Sequence, residues 1–143
     1  MIEGTSFLKT VSEYFSFLAD ELNFTKLQER LHGNSFYEVR YKNKFRVISI
    51  SYENIEDFFA VTIFVLQNGK LPDYDDKSNI FHLNKLNAQI LPAITKAELT
   101  LNNAHFAGCV QKNELERKLL KSAKDLRICL EHIDEIKTDQ TTN

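Results

Sequence analysis

The chain has 143 residues, 43% of them apolar and 27% charged, which is the size and composition of one globular domain with a real core and not of a disordered segment. A net charge of -2 and a pI near 6.1 argue against a nucleic-acid binder, which needs a basic stripe to neutralise phosphates, and give no warrant for an anionic membrane surface. No apolar run approaches the roughly 20 residues that span a bilayer, and the start "MIEGTSFLKT" lacks the basic-then-apolar order of a signal peptide.

In chain order, Phe7, Leu8, Val11, Tyr14, Phe15, Leu18 and Leu22 recur at helical spacing behind Thr5 or Ser6, which predicts an amphipathic helix over 6–22. "TKLQERLHG" carries a Thr25…Gln28 capping pattern and ends in Gly33; it reads as a short helical turn or as an irregular lead-in to a strand. From Phe36 the period changes to two. "FYEVRY", "FRVISISYE" and "DFFAVTIFVLQ", joined by the turns "KNK" and "NIE", predict a three-stranded antiparallel meander. "QNGKLPDYDDKSN" is a loop by composition, and Ser78 or Asn79 then opens a short helix that ends near Pro92.

In "ITKAELTLNNAHFAGCVQ", Ala97, Leu99 and Leu101 alternate and Asn102-Asn103 suits a tight turn, so a β-hairpin is expected over a helix through 93–101. Asn113…Glu116 is a capping pattern ahead of Leu115, Leu119, Ala123, Leu126, Leu130, Ile133 and Ile136, the mark of a long C-terminal helix. The fold class is therefore α+β, a single domain over 1–137 with a frayed tail over 138–143. Cys109 and Cys129 read as free buried thiols in a reducing compartment, and the protein as cytoplasmic.

No motif names a reaction. Against a calcium loop that starts at Asp73, Lys77 falls where a ligand oxygen is wanted, Ser78 replaces the sharp-turn glycine, and Asn84 replaces the bidentate glutamate. His105 and Cys109 stand four apart without the further ligands of a zinc site, and no phosphate-cradling glycine motif or nucleophile elbow occurs. No catalytic residue, metal or cofactor is expected. Glu131, Asp134 and Glu135 lie on the last helix, where solvated surface is the ordinary explanation.

The third strand is the informative feature. In "FFAVTIFVL", Phe58, Ala60, Phe64 and Leu66 point one way and Phe59, Val61, Ile63 and Val65 the other, so both faces want cover. Either helices cover both, or another chain closes one face. Phe59, Val61, Ile63 and Val65, with Phe45 and Val47, are the candidate apolar partner surface. Asp73, Asp75 and Asp76, with Glu53, Glu56 and Asp57, are a candidate acidic rim, although the two groups fall at opposite ends of the strand.

The element order resembles that of type III secretion chaperones and of the related YbjN family of bacterial proteins. "FRVISISYENIEDFFAVTIFVLQ" is similar to their central hairpin, "LNKLNAQ" with Asn84 and Asn87 to the start of the second YbjN helix, and "NELERKLLKSAKDLRICLEHI" to their closing helix. The resemblance implies a non-enzymatic homodimer that holds a protein partner, such as a secreted effector, along an apolar sheet surface. The alternative is a bacterial toxin-immunity protein whose acidic loops meet a basic toxin domain and speed the encounter. Neither reading calls for nucleic acid or membrane.

Overall fold

The computed structural model describes the backbone of residues 2–141 and side chains as far as residue 133. The protein is α+β. Its chain divides into two compact units, Met1–His82 and Leu83–Asn143.

In the first unit, α1 (Gly4–Tyr14) buries Phe7, Val11 and Tyr14, one stripe at helical spacing. The helix expected over 6–22 breaks at Phe15–Ser16 and resumes as the single turn α2 (Phe17–Asp20). Six strands follow: β1 (Thr25–Lys26), β2 (Arg30–His32), β3 (Phe36–Lys42), β4 (Arg46–Glu53), β5 (Phe58–Val65) and β6 (Ile80–His82). Their order is β1-β3-β4-β5-β6, antiparallel throughout, with β2 beside β3 further along the edge that β1 occupies.

The expected meander is β3, β4 and β5, and the structure adds two short strands before it, each paired with β3, and β6 after it. "TKLQERLHG" is thus the lead-in to the sheet and holds no helix. Gly33, at φ +56, serves the β2–β3 turn, a backbone conformation that a side chain resists. "IFH" was expected to open a helix, yet it pairs with Phe64, Ile63 and Thr62, and the helix starts only at Leu83.

Register sorts the sheet into two faces. Val39, Ile50 and Val61 stand in one row, and Tyr41, Ile48, Ile63 and Phe81 in the next. With Tyr37 and Tyr52, this inner face is the core of the unit, and burying each large side chain stabilises by about 1.5–3 kcal/mol. Helix α1 lies on it: the Phe7 ring is 5.7 Å from that of Tyr37 and 6.2 Å from that of Tyr52. Gly4 allows the close approach, because a Cβ there would stand 2.9 Å from Leu31 and 3.0 Å from Tyr37. Asn54 pins the start of the chain, accepting from the Ile2 N–H at 3.1 Å and donating to the Ile2 and Asn34 carbonyls at 3.0 and 2.6 Å.

The second unit holds α3 (Leu83–Ile90), a turn of 3-10 helix (Leu91–Ala93), α4 (Lys96–His105) and α5 (Glu114–Thr141). The hairpin expected over 93–110 is a helix. A complete capping box decides it: Thr95 Oγ1 accepts from the Glu98 N–H at 3.1 Å, and the Glu98 carboxylate returns to the Thr95 N–H at 3.4 Å. The alternation of Ala97, Leu99 and Leu101 was no strand signal, for all three are exposed on the helix surface. The Asn113…Glu116 cap of α5 forms as expected, at 2.9 Å. Expectations placed on the side chains of Asp134, Glu135 and Ile136 and on residues 142–143 lie outside the described residues, while the backbone of 138–141, expected to fray, continues α5.

Candidate functional site

The loop between β5 and β6 carries the acidic stretch. Gln67 and Lys70 bridge its base, with Asn68 and Gly69 both at positive φ in the turn between them. Further on, the Asp76 carboxylate turns inward, accepting from the Ser78 N–H at 3.2 Å and from Asn79 Nδ2 at 2.8 Å. Backbone bonds from Asp76 N to Asp73 O and from Asn79 N to Asp76 O close the turn. The fold of this loop thus uses Asp76 and presents its neighbours. Tyr74 is 94% exposed, with Asp73 and Asp75 exposed on either side of it.

The second acidic group sits at the β4–β5 turn. Asp57, at φ +50, accepts from the Tyr52 hydroxyl at 2.5 Å. Burial, with the Asp57 hydrogen bond and charge, pushes the Tyr52 phenol up to about 12. Glu56 is exposed and Glu53 half-buried. The eight residues of β5, roughly 26 Å of extended chain at about 3.3 Å per residue, separate this group from Asp73–Asp76.

The structure does not assemble the expected apolar surface. Val61, Ile63 and Val65 are buried on the inner face, and Phe59 is half-buried beside them. Val47 stands opposite Phe64, so it belongs to the other face, where it too is buried. Phe45 lies outside β4, in the β3–β4 turn, 62% exposed. The six residues therefore do not form one exposed patch.

The outer face holds what strand-by-strand reading missed. Glu38, only 6% exposed, accepts from Ser49 Oγ at 2.6 Å, Arg40 Nε at 2.9 Å and Arg30 Nη1 at 3.3 Å. Burial works against its charge, but the Ser49 and Arg40 hydrogen bonds and the two guanidinium charges outweigh it and hold the carboxyl below the usual range. The Arg40 guanidinium also lies 5.8 Å from the centre of the Phe64 ring. Here Ser49 and Ser51 of β4, opposite Thr62 and Ala60, supply the polar half of the alternation that β5 alone does not show.

In the second unit, Asn102 is the one buried residue of α4, donating to the Lys124 carbonyl on α5 at 2.9 Å and accepting from Arg127 at 2.9 Å. Four residues earlier on α4, Glu98 Oε2 meets His132 Nε2 of α5 at 2.6 Å. That bond, with those from Thr95, holds the Glu98 carboxyl below its ordinary value. Glu131 offers a further oxygen, and the three ligand atoms lie within 4.8 Å of one another. No sequence spacing announces this cluster, because Glu98 and His132 meet only once α4 is a helix.

His82 is exposed at the end of β6, opposite Thr62, and the ring of His105, weighed above with Cys109, stands edge-on to Phe106 at 4.7 Å. Neither cysteine is in a disulfide; Cys129 is buried, its thiol pushed up to about 12 by burial and by Asp125, whereas Cys109, expected to be buried, is half-exposed. A shallow hollow of about 510 Å³ opens at the start of α1, lined by Ile2 to Thr5, Leu31, Gly33 and Asn34. Among the described residues, no helix is long and apolar enough to cross a membrane. No family model, no curated protein and no solved structure matches the chain.

Proposed function

We propose that this chain is a non-catalytic protein-binding domain that docks a folded, basic partner through the β5–β6 loop. Tyr74 is the anchor, and Asp73 and Asp75 are the charges beside it. The single observation that carries this reading is the near-complete exposure of Tyr74 on a loop whose own hydrogen bonds fix its course. A tyrosine held this way offers large contact area at little ordering cost, and its flanking carboxylates steer a basic surface toward it. Glu53 and Glu56 extend the rim at the far end of β5, so a partner that meets both groups spans the length of the strand and is a domain, not a short peptide. This supports the toxin-immunity form of the proposal, in which the partner is a toxin domain.

A second reading rests on Ile55 and Phe58, which are 79% and 61% exposed at the β4–β5 turn. They favour the chaperone-like alternative, in which an extended apolar segment of a secreted effector is held there.

Co-purification on the tagged chain from its own cells, with the complex sized by light scattering, separates the two. A folded partner at fixed stoichiometry, released by salt and by the combined change Asp73→Lys and Asp75→Lys, is the expected result. A partner captured unfolded, insensitive to salt and to those changes, supports the chaperone reading. A chain that emerges alone contradicts both.

A further inference from the structure

Helix α4 is held on α5 by polar groups: among its described residues only Asn102 is buried, while Leu99 and Leu101 face outward. Beside that contact stand one imidazole nitrogen and two carboxylates, from His132, Glu98 and Glu131, with ligand atoms no more than 4.8 Å apart. The set is drawn from two helices, and one member is oriented from outside the cluster. Glu98 turns Oε1 to the backbone N–H and hydroxyl of Thr95, at 3.4 and 3.3 Å, which leaves Oε2 for His132. Such support of a ligating carboxylate by a further hydrogen bond is the usual companion of a metal ligand. The side chains of His132 and Glu98 are 14% and 32% exposed and Glu131 is exposed, so the group lies at the surface with His132 and Glu98 partly withdrawn from water.

We propose that Glu98, Glu131 and His132 bind one divalent transition cation of the zinc and cobalt class. A mixed nitrogen and oxygen donor set suits these ions better than calcium or magnesium, which favour oxygen alone. Three protein ligands leave a fourth position for water. Tetrahedral bonds of about 2.0–2.2 Å place ligand atoms roughly 3.3 Å apart. Glu98 Oε2 and His132 Nε2, now at 2.6 Å, must therefore part by less than an ångström, and the Glu131 oxygen must draw in. Side-chain rotation supplies both movements without moving either helix. Bound there, the ion joins the first turn of α4 to α5. The proposal is independent of the docking loop.

The test uses the full chain, stripped with a chelator and titrated with cobalt chloride and then zinc chloride in a calorimeter, with thermal unfolding read alongside. The expected result is one equivalent of either ion and a rise in unfolding temperature that grows with ion concentration. Glu98→Gln and His132→Gln should each weaken binding by about tenfold or more. Glu98→Gln keeps the capping box, since glutamine serves at that position, so its loss of affinity is not a loss of the helix. Cys109→Ser should change nothing. Absence of binding overturns the proposal. So does an affinity unchanged in both glutamine variants or lost in Cys109→Ser, since either places the ion elsewhere.

Discussion

Strand β5 and the loop that follows it use their large side chains in opposite ways. Val61, Ile63 and Val65 are buried, in register with Ile50, Ile48 and Arg46 on β4, whereas Tyr74 projects almost wholly into solvent from a loop stitched by Asp76. Both segments are conspicuous in the sequence, one for apolar content and one for charge. The first is spent on the fold, because alternate residues of a strand that pairs on both sides meet a covered face. The second is left over once the loop has satisfied its own backbone. An unusually apolar strand is thus poor evidence of a binding surface, and an exposed aromatic on an internally bonded loop is better evidence.

Substitutions at four positions sharpen this contrast, from the largest expected effect to the smallest. Ile63→Asp places a carboxylate in a position with no exposure, and the chain should fail to show cooperative unfolding by circular dichroism; the milder Ile63→Ala should fold and lose about 2–5 kcal/mol in a denaturant titration. Glu38→Gln should cost about 1–3 kcal/mol, since it weakens three bonds on a nearly buried group. Its effect should also depend on pH. The Glu38 carboxyl sits lower in the fold than its ordinary value of 4.5, so its contribution is complete above that value and fades as pH falls through the lower folded one. Unfolding temperatures of wild type and Glu38→Gln should therefore converge in acid. Thr95→Ala, which removes the cap of α4, should cost about 1 kcal/mol by the same denaturant titration. Tyr74→Ala should shift stability by no more than about 0.5 kcal/mol, as befits a side chain in contact with little but water.

How far the sequence discloses this molecule depends on how local each signal is. The three meander strands are legible because period two in β3 and β4, and a run of mainly β-branched and aromatic residues in β5, persist over seven or eight residues. Strand β6 is three residues long, and Ile80 and Leu83 fit a helix equally well, so nothing local separates "IFH" from the helix after it. At 95–105 two local signals compete, and the reciprocal bonds of Thr95 and Glu98 prevail over a short alternation. The candidate sites divide in the same way. The Asp73–Asp76 stretch is visible as a loop, and only the division of labour within it, Asp76 inward and Tyr74 outward, is set by the folded loop itself. The Glu38 network needs the register of β2, β3 and β4, and the Glu98–His132 contact bridges 34 positions, so no reading of neighbours in sequence reaches either.

The central claim is that the anchor of the partner contact is on the β5–β6 loop and not at the apolar β4–β5 end of the sheet. Its most direct test is the affinity of the recovered partner for wild type, Tyr74→Ala and Phe58→Ala, measured by calorimetry on chains shown to fold alike. The account predicts that Tyr74→Ala weakens binding by about 2 kcal/mol or more, roughly thirtyfold, while Phe58→Ala stays within about 0.5 kcal/mol of wild type. The reverse order, with Tyr74→Ala binding normally and Phe58→Ala failing, would contradict it and move the contact to the β4–β5 end of the sheet.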